Sequence, residues 1–433
     1  MSSSMFYTDL VSERKANDEQ ERSSRVLSYK PGKDRISSLP DHLLCQILSL
    51  LPTKKAVGTS VLSKRWQSLW LSVPLVDLNI SDLFIHHEKD MVSFVHGFLD
   101  HVSKESSWLL KLKLSVSVNN EIDQSCVTSW IDCAVLHKVQ HLDINRHRFY
   151  PFVPDLLIPL SLYTCETLVC LKLTAVSFPG FEHVSLPRLK IMHLEYNRYS
   201  SDALLERLVS SCPLLEDLKV ARYVETDSYT VTVLRVRSQS LKSLALVLSG
   251  HDPWCEDDWE VVMDAPRLDY LRLKDEQSGS FLISNLRSSV KVDIDVSGIV
   301  SSNSDVMRKF FTVLSNVRDM TLSRATSVEL GEFKKKEQLL LSLSSVPTCL
   351  RSSLEYVEIK TAIRGADAEM KLVKYLLENS AVLKKFWLRL SCRSLQEESV
   401  TFIQLMRFRR CSASCEVVVE LEGAYPTMIQ TFW

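Results

Sequence analysis

Leu189-Lys190-Ile191-Met192-His193-Leu194, Leu215-Glu216-Asp217-Leu218-Lys219-Val220, Leu241-Lys242-Ser243-Leu244-Ala245-Leu246 and Leu268-Asp269-Tyr270-Leu271-Arg272-Leu273 repeat one phrase, Leu-x-x-Leu-x-Leu, at steps of 26, 26 and 27 residues. The closing Leu-x-Leu alternates with polar residues, the period of a strand with one buried face. Working outward, the same phrase stands at Leu109-x-x-Leu112-x-Leu114, Val139-x-x-Leu142-x-Ile144 and Leu168-x-x-Leu171-x-Leu173. Looser copies follow at Val317-x-x-Met320-x-Leu322, Leu354-x-x-Val357-x-Ile359 and Leu383-x-x-Phe386-x-Leu388. The 49-residue gap from Leu268 to Val317 leaves room for one degenerate unit, placed at Val290 to Val296. A unit this short cannot bury its own apolar face, so neighbouring copies must stack and share one core.

The spacing is close to that of leucine-rich repeats, in which a short strand is followed by a helix or irregular return. Ser201 to Ser211 has the helical period at Ala203, Leu204, Leu205, Leu208 and Val209, and Cys212-Pro213 ends it. Proline recurs two residues before the first repeat leucine, at Pro187, Pro213 and Pro266. Composition agrees with a leucine-patterned core, because the 433 residues include 65 leucines and only 10 glycines. The 52 basic and 53 acidic side chains give a net charge of -1, so no global field selects nucleic acid or an anionic membrane. No apolar run reaches the roughly 18 residues of a membrane span. Eleven cysteines without a Cys-x-x-Cys read as reduced, buried thiols of a cytoplasmic and/or nuclear protein.

Before the repeats the text changes character. Ser12 to Arg25 carries eight charges in fourteen residues and belongs to a tail, 1–33, expected to be disordered. From Asp34 the chain reads DRISSLPDHLLCQILSLLPTKKAVGTSVLSKRWQSLWLSVPLVDLNI. Pro40 opens a first helix that Pro52 stops, Thr53 starts a second through Val57 and Val61, and a third follows from Ser63 through Trp66 and Trp70. Leu43, Ile47 and Leu50 fall on one stripe of the first helix, and Leu44, Leu48 and Leu51 on the next. A unit of under fifty residues hides one stripe per helix; the second meets either this protein's own core or another chain.

The Asp34–Ile80 block resembles the F-box of the plant F-box/leucine-rich-repeat/FBD family across some forty residues. Ser352 to Lys360 (SSLEYVEIK), Lys371 to Lys385 and the Cys415-Glu416-Val417-Val418 ending are similar to that family's FBD segment. The resemblance implies an α/β chain: a three-helix F-box at 34–80, a curved leucine-rich-repeat solenoid at 81–348, an FBD domain at 349–421 and a tail at 422–433. It also implies a substrate-recognition subunit of an SCF-type cullin-RING ubiquitin ligase, docked on a Skp-family adaptor and presenting an unknown target protein. Carried over by position, the adaptor-facing residues are Leu39, Pro40, Leu43, Leu44, Ile47, Leu48, Val57, Ser60, Val61, Leu62, Ser63, Trp66 and Trp70. That assigns the surplus apolar stripe to a partner. His42, Cys45 and Gly58 depart from the family's usual residues without removing the pattern.

No catalytic constellation emerges. The glycine-rich phosphate loops and His-Glu-x-x-His are absent. The clusters His86, His87, Glu88 and His251, Cys255, Asp257, Asp258 match no ligand framework, so no metal and no cofactor is expected. The basic runs Lys334–Lys336 and Arg407, Arg409, Arg410 read as solvated faces rather than nucleic-acid contacts, while Trp254 and Trp259 among carboxylates are a candidate contact for a basic target. Target contacts are placed on the strand face or its rim, at Glu195, Tyr196, Arg198, Arg222, Tyr223, Lys274 and Asp275. The competing reading is a non-catalytic repeat scaffold in which the helical block caps the solenoid.

Overall fold

The computed structural model describes residues 35–79, 88–105, 108–117, 124–147, 156–223, 233–249, 259–275, 278–295, 314–323, 346–363, 365, 367–391, 395–421 and 429–432. The disordered-tail expectation for 1–33 lies outside them. The chain divides into two compact units between Val73 and Pro74.

In the first unit, Pro40 stands extended before helix α1 (Asp41–Leu48), and Asp41 places its carboxylate at the positive end of the helix. Pro52 does the same for α2 (Thr53–Gly58), which runs on into a 3-10 turn, Thr59–Val61. The third helix is shorter than its periodicity suggests: α3 covers Trp66–Leu69 and tightens into a 3-10 turn at Trp70–Ser72. Leu44, Leu48, Ala56, Trp66, Leu69 and Val73 are buried here. Arg65 closes the unit by donating from Nε to Asp41 Oδ1 at 2.8 Å and from Nη2 to the Leu39 carbonyl at 2.6 Å.

The second unit is built on one open fourteen-stranded sheet. Its strands, in spatial order, are β1 (Leu75–Asn79), β2 (Lys111–Ser117), β3 (His141–His147), β4 (Cys170–Thr174), β6 (Ile191–Glu195), β8 (Asp217–Tyr223), β10 (Ser243–Ser249), β12 (Tyr270–Asp275), β14 (Lys291–Asp295), β15 (Asp319–Ser323), β16 (Tyr356–Ile363), β17 (Lys385–Leu390), β18 (Glu416–Leu421) and β19 (Ile429–Phe432). All ten sequence copies lie on these strands, and the degenerate unit is β14. Every pairing is parallel except the last, β18 with β19.

The register explains why the phrase repeats. Leu112, Leu142, Leu171, Met192, Leu218, Leu244, Leu271, Val292, Met320, Val357 and Phe386 pair in one row from strand to strand. Leu114, Ile144, Leu173, Leu194, Val220, Leu246, Leu273, Ile294, Leu322, Ile359 and Leu388 form a second row two residues on. Both rows are buried, and so is the first residue of each phrase, from Leu109 to Leu383. The recurrent prolines sit at the second position of tight turns, for the Leu189, Leu215 and Leu268 amides donate to the carbonyls of Leu186, Cys212 and Ala265. The chain thus turns just before each buried leucine.

A second layer covers the apolar face through short strands that return the chain. β5 (Ser177–Phe178) pairs with β7 (Arg198–Tyr199), and β9 (Val233–Arg237), β11 (Trp259–Asp264) and β13 (Ser278–Ser284) form a parallel trio. Elsewhere helices do this work: α4 (Glu88–Lys104), α5 (Gln124–Leu136) and α6 (Asp202–Ser210), the last within one residue of its sequence-read span. Asn197 links neighbouring units, accepting from the Val176 amide at 2.9 Å and donating to the Leu173 carbonyl at 2.9 Å. Ala175 and Tyr196 take left-handed backbone conformations in the same turns, at φ 56 in both.

The C-terminal strands carry α7 (Thr348–Ser352), α8 (Asp367–Asn379) and α9 (Leu395–Met406). Gly365 leads into α8 at φ +81, and a Cβ there would stand 2.5 Å from Thr401 Oγ1 on α9. Thr401 is buried and β-branched, so it cannot swing aside freely. Gly365→Ala is therefore expected to destabilise this end by about 1–3 kcal/mol, read as a lower thermal midpoint.

Candidate functional site

The residues assigned to the adaptor separate into two classes. Leu44 is 0% exposed, and Leu48 and Trp66 are also buried. These three face the unit's own core. They form the self-facing stripe of α1 and its partner on α3. Pro40, Ile47, Val61, Leu62 and Ser63 are exposed, and Leu39, Leu43, Val57, Ser60 and Trp70 are half-buried. Val61 is 87% exposed and Leu62 63%, just past α2. Leu50, which the carry-over omitted, is 83% exposed. The helical stripe Leu43, Ile47, Leu50 already pointed to it. These large aliphatic side chains face water although the unit has its own buried core.

The second surface is the polar face of the sheet. One row across it reads Asp77, Lys113, Asp143, Lys172, His193, Lys219, Ala245, Arg272, Asp293. Opposite charges on adjacent strands pair: Lys113 with Asp77 at 3.4 Å, and Lys219 with Glu195 at 2.7 Å. Asp293 is buried, accepting from the Tyr270 hydroxyl at 3.1 Å and the Lys360 ammonium at 3.3 Å.

Among the residues named for target contact, Glu195 and Lys274 lie on this face, at the ends of β6 and β12. Tyr196 is exposed in the turn beyond β6. Arg198 belongs to β7 in the second layer, so it does not share the sheet face with Glu195. Arg222 is only 6% exposed, with its guanidinium 4.8 Å from the Tyr199 ring centre. Its position on β8 is in phase with Leu218 and Val220, so it points inward. Tyr223 and Asp275 end β8 and β12.

Two carboxylates on the sheet face titrate in opposite directions. His193 Nε2 lies 3.0 Å from Asp217 Oδ2, and this hydrogen bond holds the Asp217 carboxyl below the usual aspartate range. Burial pushes the Asp143 carboxyl up, opposed by the nearby Lys113 and Lys172. Asp217 thus adds stability that is complete above the usual aspartate pKa and lost as pH falls through its depressed value; the Asp143 contribution is present at lower pH and lost as pH rises through its elevated one. Carboxyl-carbon NMR titration is expected to give midpoints on opposite sides of the free-aspartate value, and the Asp217 depression shrinks in His193→Ala, where Ser243 and Lys172 still lower it.

Burial pushes the Cys212 thiol up to about 12, and the Cys349 and Cys415 thiols up to about 11, which disfavours their thiolates. Cys411, read from the sequence as buried, is exposed. Trp254, the histidine clusters before Glu88 and around Cys255, and Lys334–Lys336 fall outside the described residues. Among the described residues no group of three His, Cys, Asp or Glu side chains is arranged to hold a metal, and no helix is long and apolar enough to cross a membrane.

Three family descriptions match the chain: F-box domain at residues 36–78, the LRR repeats of the FBD-associated F-box protein At5g56370 at 127–298, and FBD at 342–388. The putative F-box/FBD/LRR-repeat protein At5g22670 of Arabidopsis thaliana is 52% identical over 448 aligned residues, covering 90% of this chain and 98% of that protein. F-box/FBD/LRR-repeat protein At5g22660 of the same plant is 44% identical, over 90% of this chain and 97% of that protein. F-box/FBD/LRR-repeat protein At5g22700, also from Arabidopsis thaliana, is 42% identical, over 87% of this chain and 97% of its own length.

Proposed function

This chain belongs to the F-box/FBD/LRR-repeat family, and from that membership we propose that it is a substrate-recognition subunit of an SCF-type cullin-RING ubiquitin ligase. Its helical unit docks on a Skp-family adaptor, and its repeats, a curved solenoid in this reading, hold a target protein for ubiquitin transfer. The chain itself is non-catalytic; it accelerates transfer by holding the target in place. Residues 34–80 make the docking unit, 81–348 the repeats and 349–421 the FBD segment, and the complex works in the cytoplasm, the nucleus or both.

The observation that carries the reading is the exposure of Ile47, Leu50, Val61 and Leu62 on a unit whose Leu44, Leu48 and Trp66 already fill its own core. A cap that served only the repeats would have no use for a second apolar surface facing water. Co-expression of the full chain with a Skp-family adaptor, followed by size-exclusion chromatography, tests this. A one-to-one complex is the expected result. A monomeric chain that ignores the adaptor overturns the reading in favour of a repeat scaffold independent of the ligase.

A further inference from the structure

The sheet face carries cations at a regular step. In the row that runs across the strands, Lys113, Lys172, Lys219 and Arg272 stand on every second strand, on β2, β4, β8 and β12. Neighbouring strands are about 4.8 Å apart, so successive cations lie about 9.6 Å from one another. A polyproline II chain rises about 3.1 Å per residue with three residues per turn, which returns the same side of the chain about every 9.3 Å. The two repeats match.

The four cations differ in what they already hold. Lys113 is engaged by Asp77, and Lys219 by Glu195. The Lys172 ammonium and the Arg272 guanidinium make no hydrogen bond or ion pair among the described residues, although Arg272 is exposed. Between Lys219 and Arg272 the row drops to Ala245, flanked along its own strand by Ser243 and Val247, so β10 offers a floor without charge. Each of Lys113, Lys172 and Arg272 has an aspartate on an adjacent strand: Lys113 stands between Asp77 and Asp143, Lys172 between Asp143 and His193, and Arg272 between Ala245 and Asp293. Of these three only Lys113 closes an ion pair with its aspartate, so Lys172 and Arg272 keep a side open to an incoming carboxylate.

Resting on the reading that the repeats take the target, we propose that this face binds an extended acidic segment of the target protein. The segment lies across the strands with a carboxylate at every third residue. Lys172, Lys219 and Arg272 receive three successive carboxylates, the bound chain crosses over Ala245, and Glu195 yields Lys219 to the incoming group. A nucleic-acid strand fits less well. The one aromatic ring in the row from Lys113 to Asp293 is His193, which is held by Asp217, and Asp143 and Asp293 would face the strand's phosphates.

The test uses the full chain with its adaptor and a fluorescent peptide with glutamate at every third position among prolines. Its controls are a peptide of the same composition with the glutamates contiguous, the glutamine analogue, and an oligouridine. Anisotropy is expected to show salt-sensitive binding of the spaced peptide, weakened about tenfold by Arg272→Glu or Lys172→Glu. Ala245→Trp is expected to obstruct it without removing a charge. A lysine-spaced peptide should bind the Lys172→Glu/Arg272→Glu double variant better than the original chain. Equal binding of the contiguous peptide, indifference to Arg272→Glu, or tighter binding of oligouridine would overturn the proposal. Adaptor capture is measured on the same samples: retained capture without peptide binding sinks this inference alone, whereas lost capture sinks the ligase reading and leaves peptide binding to decide the surface separately.

Discussion

Leu44→Asp is expected to abolish adaptor capture by unfolding the helical unit, and Val61→Asp/Leu62→Asp to abolish it with the unit intact. Leu44 is fully buried at the centre of a unit of some forty residues. Truncating a buried leucine costs about 2–5 kcal/mol, and a carboxylate in its place adds the penalty of an unpaired charge. That sum reaches the whole stability of a unit this small. Val61 and Leu62 face water, so aspartate there changes folding by about 0.5 kcal/mol or less. If those side chains anchor the adaptor, their loss removes about 2 kcal/mol or more from binding apiece. Amide exchange within 41–70 separates the two mechanisms: protection is lost in Leu44→Asp and kept in the double variant. Undiminished capture by the double variant would remove Val61 and Leu62 from the docking surface.

The second large effect is expected from Leu218→Asp in the middle of the sheet. Leu218 pairs in register with Met192 on one side and Leu244 on the other, and all three are buried. A carboxylate there lies between two apolar neighbours with no cation on that row, and the cost exceeds about 4 kcal/mol. Because each repeat is stabilised chiefly by its neighbours, the damage should spread outward and fade with distance. Hydrogen exchange is expected to rise most at β6, β8 and β10 and least at β1 and β17. Uniform loss of protection over the whole sheet would show instead that the unit folds as one indivisible block.

Those neighbours also show what the sequence could and could not disclose. Leu-x-x-Leu-x-Leu was legible because a parallel stack in register asks the same three positions of every unit to be apolar. Even the degenerate copy at β14 kept Val290, Val292 and Ile294 in place. Val73-x-x-Val76-x-Leu78 has the same spacing and supplies β1, but it adjoins the helical block and reads as its continuation. The short return strands β5 and β7 have two residues each, too few for any period to register. Asn197 was overlooked although it stands three residues after Leu194, where the phrase extended to Leu-x-x-Leu-x-Leu-x-x-Asn admits it.

The proposed docking residues were half legible for a different reason. Two adjacent apolar stripes on one helix tell a reader that both are used, but only packing tells which is used at home. Leu44 and Leu48 go inward and Ile47 and Leu50 outward. The inward side of Arg222 was not legible because a charged residue at a strand end reads as solvated, whereas its phase on β8 turns it toward the Tyr199 ring.

The antiparallel β19 has a consequence for association. A stack in which each strand is carried onto the next by one repeated displacement has no natural end, and β18 alone would offer the first strand of another molecule the same parallel seat that β17 offers β18. β19 fills that seat running the opposite way, pairing Val417 with Phe432 and Val419 with Gln430. The displacement that generates the stack cannot be continued through it. The sheet therefore ends on an edge unlike the parallel one that each repeat presents to the next.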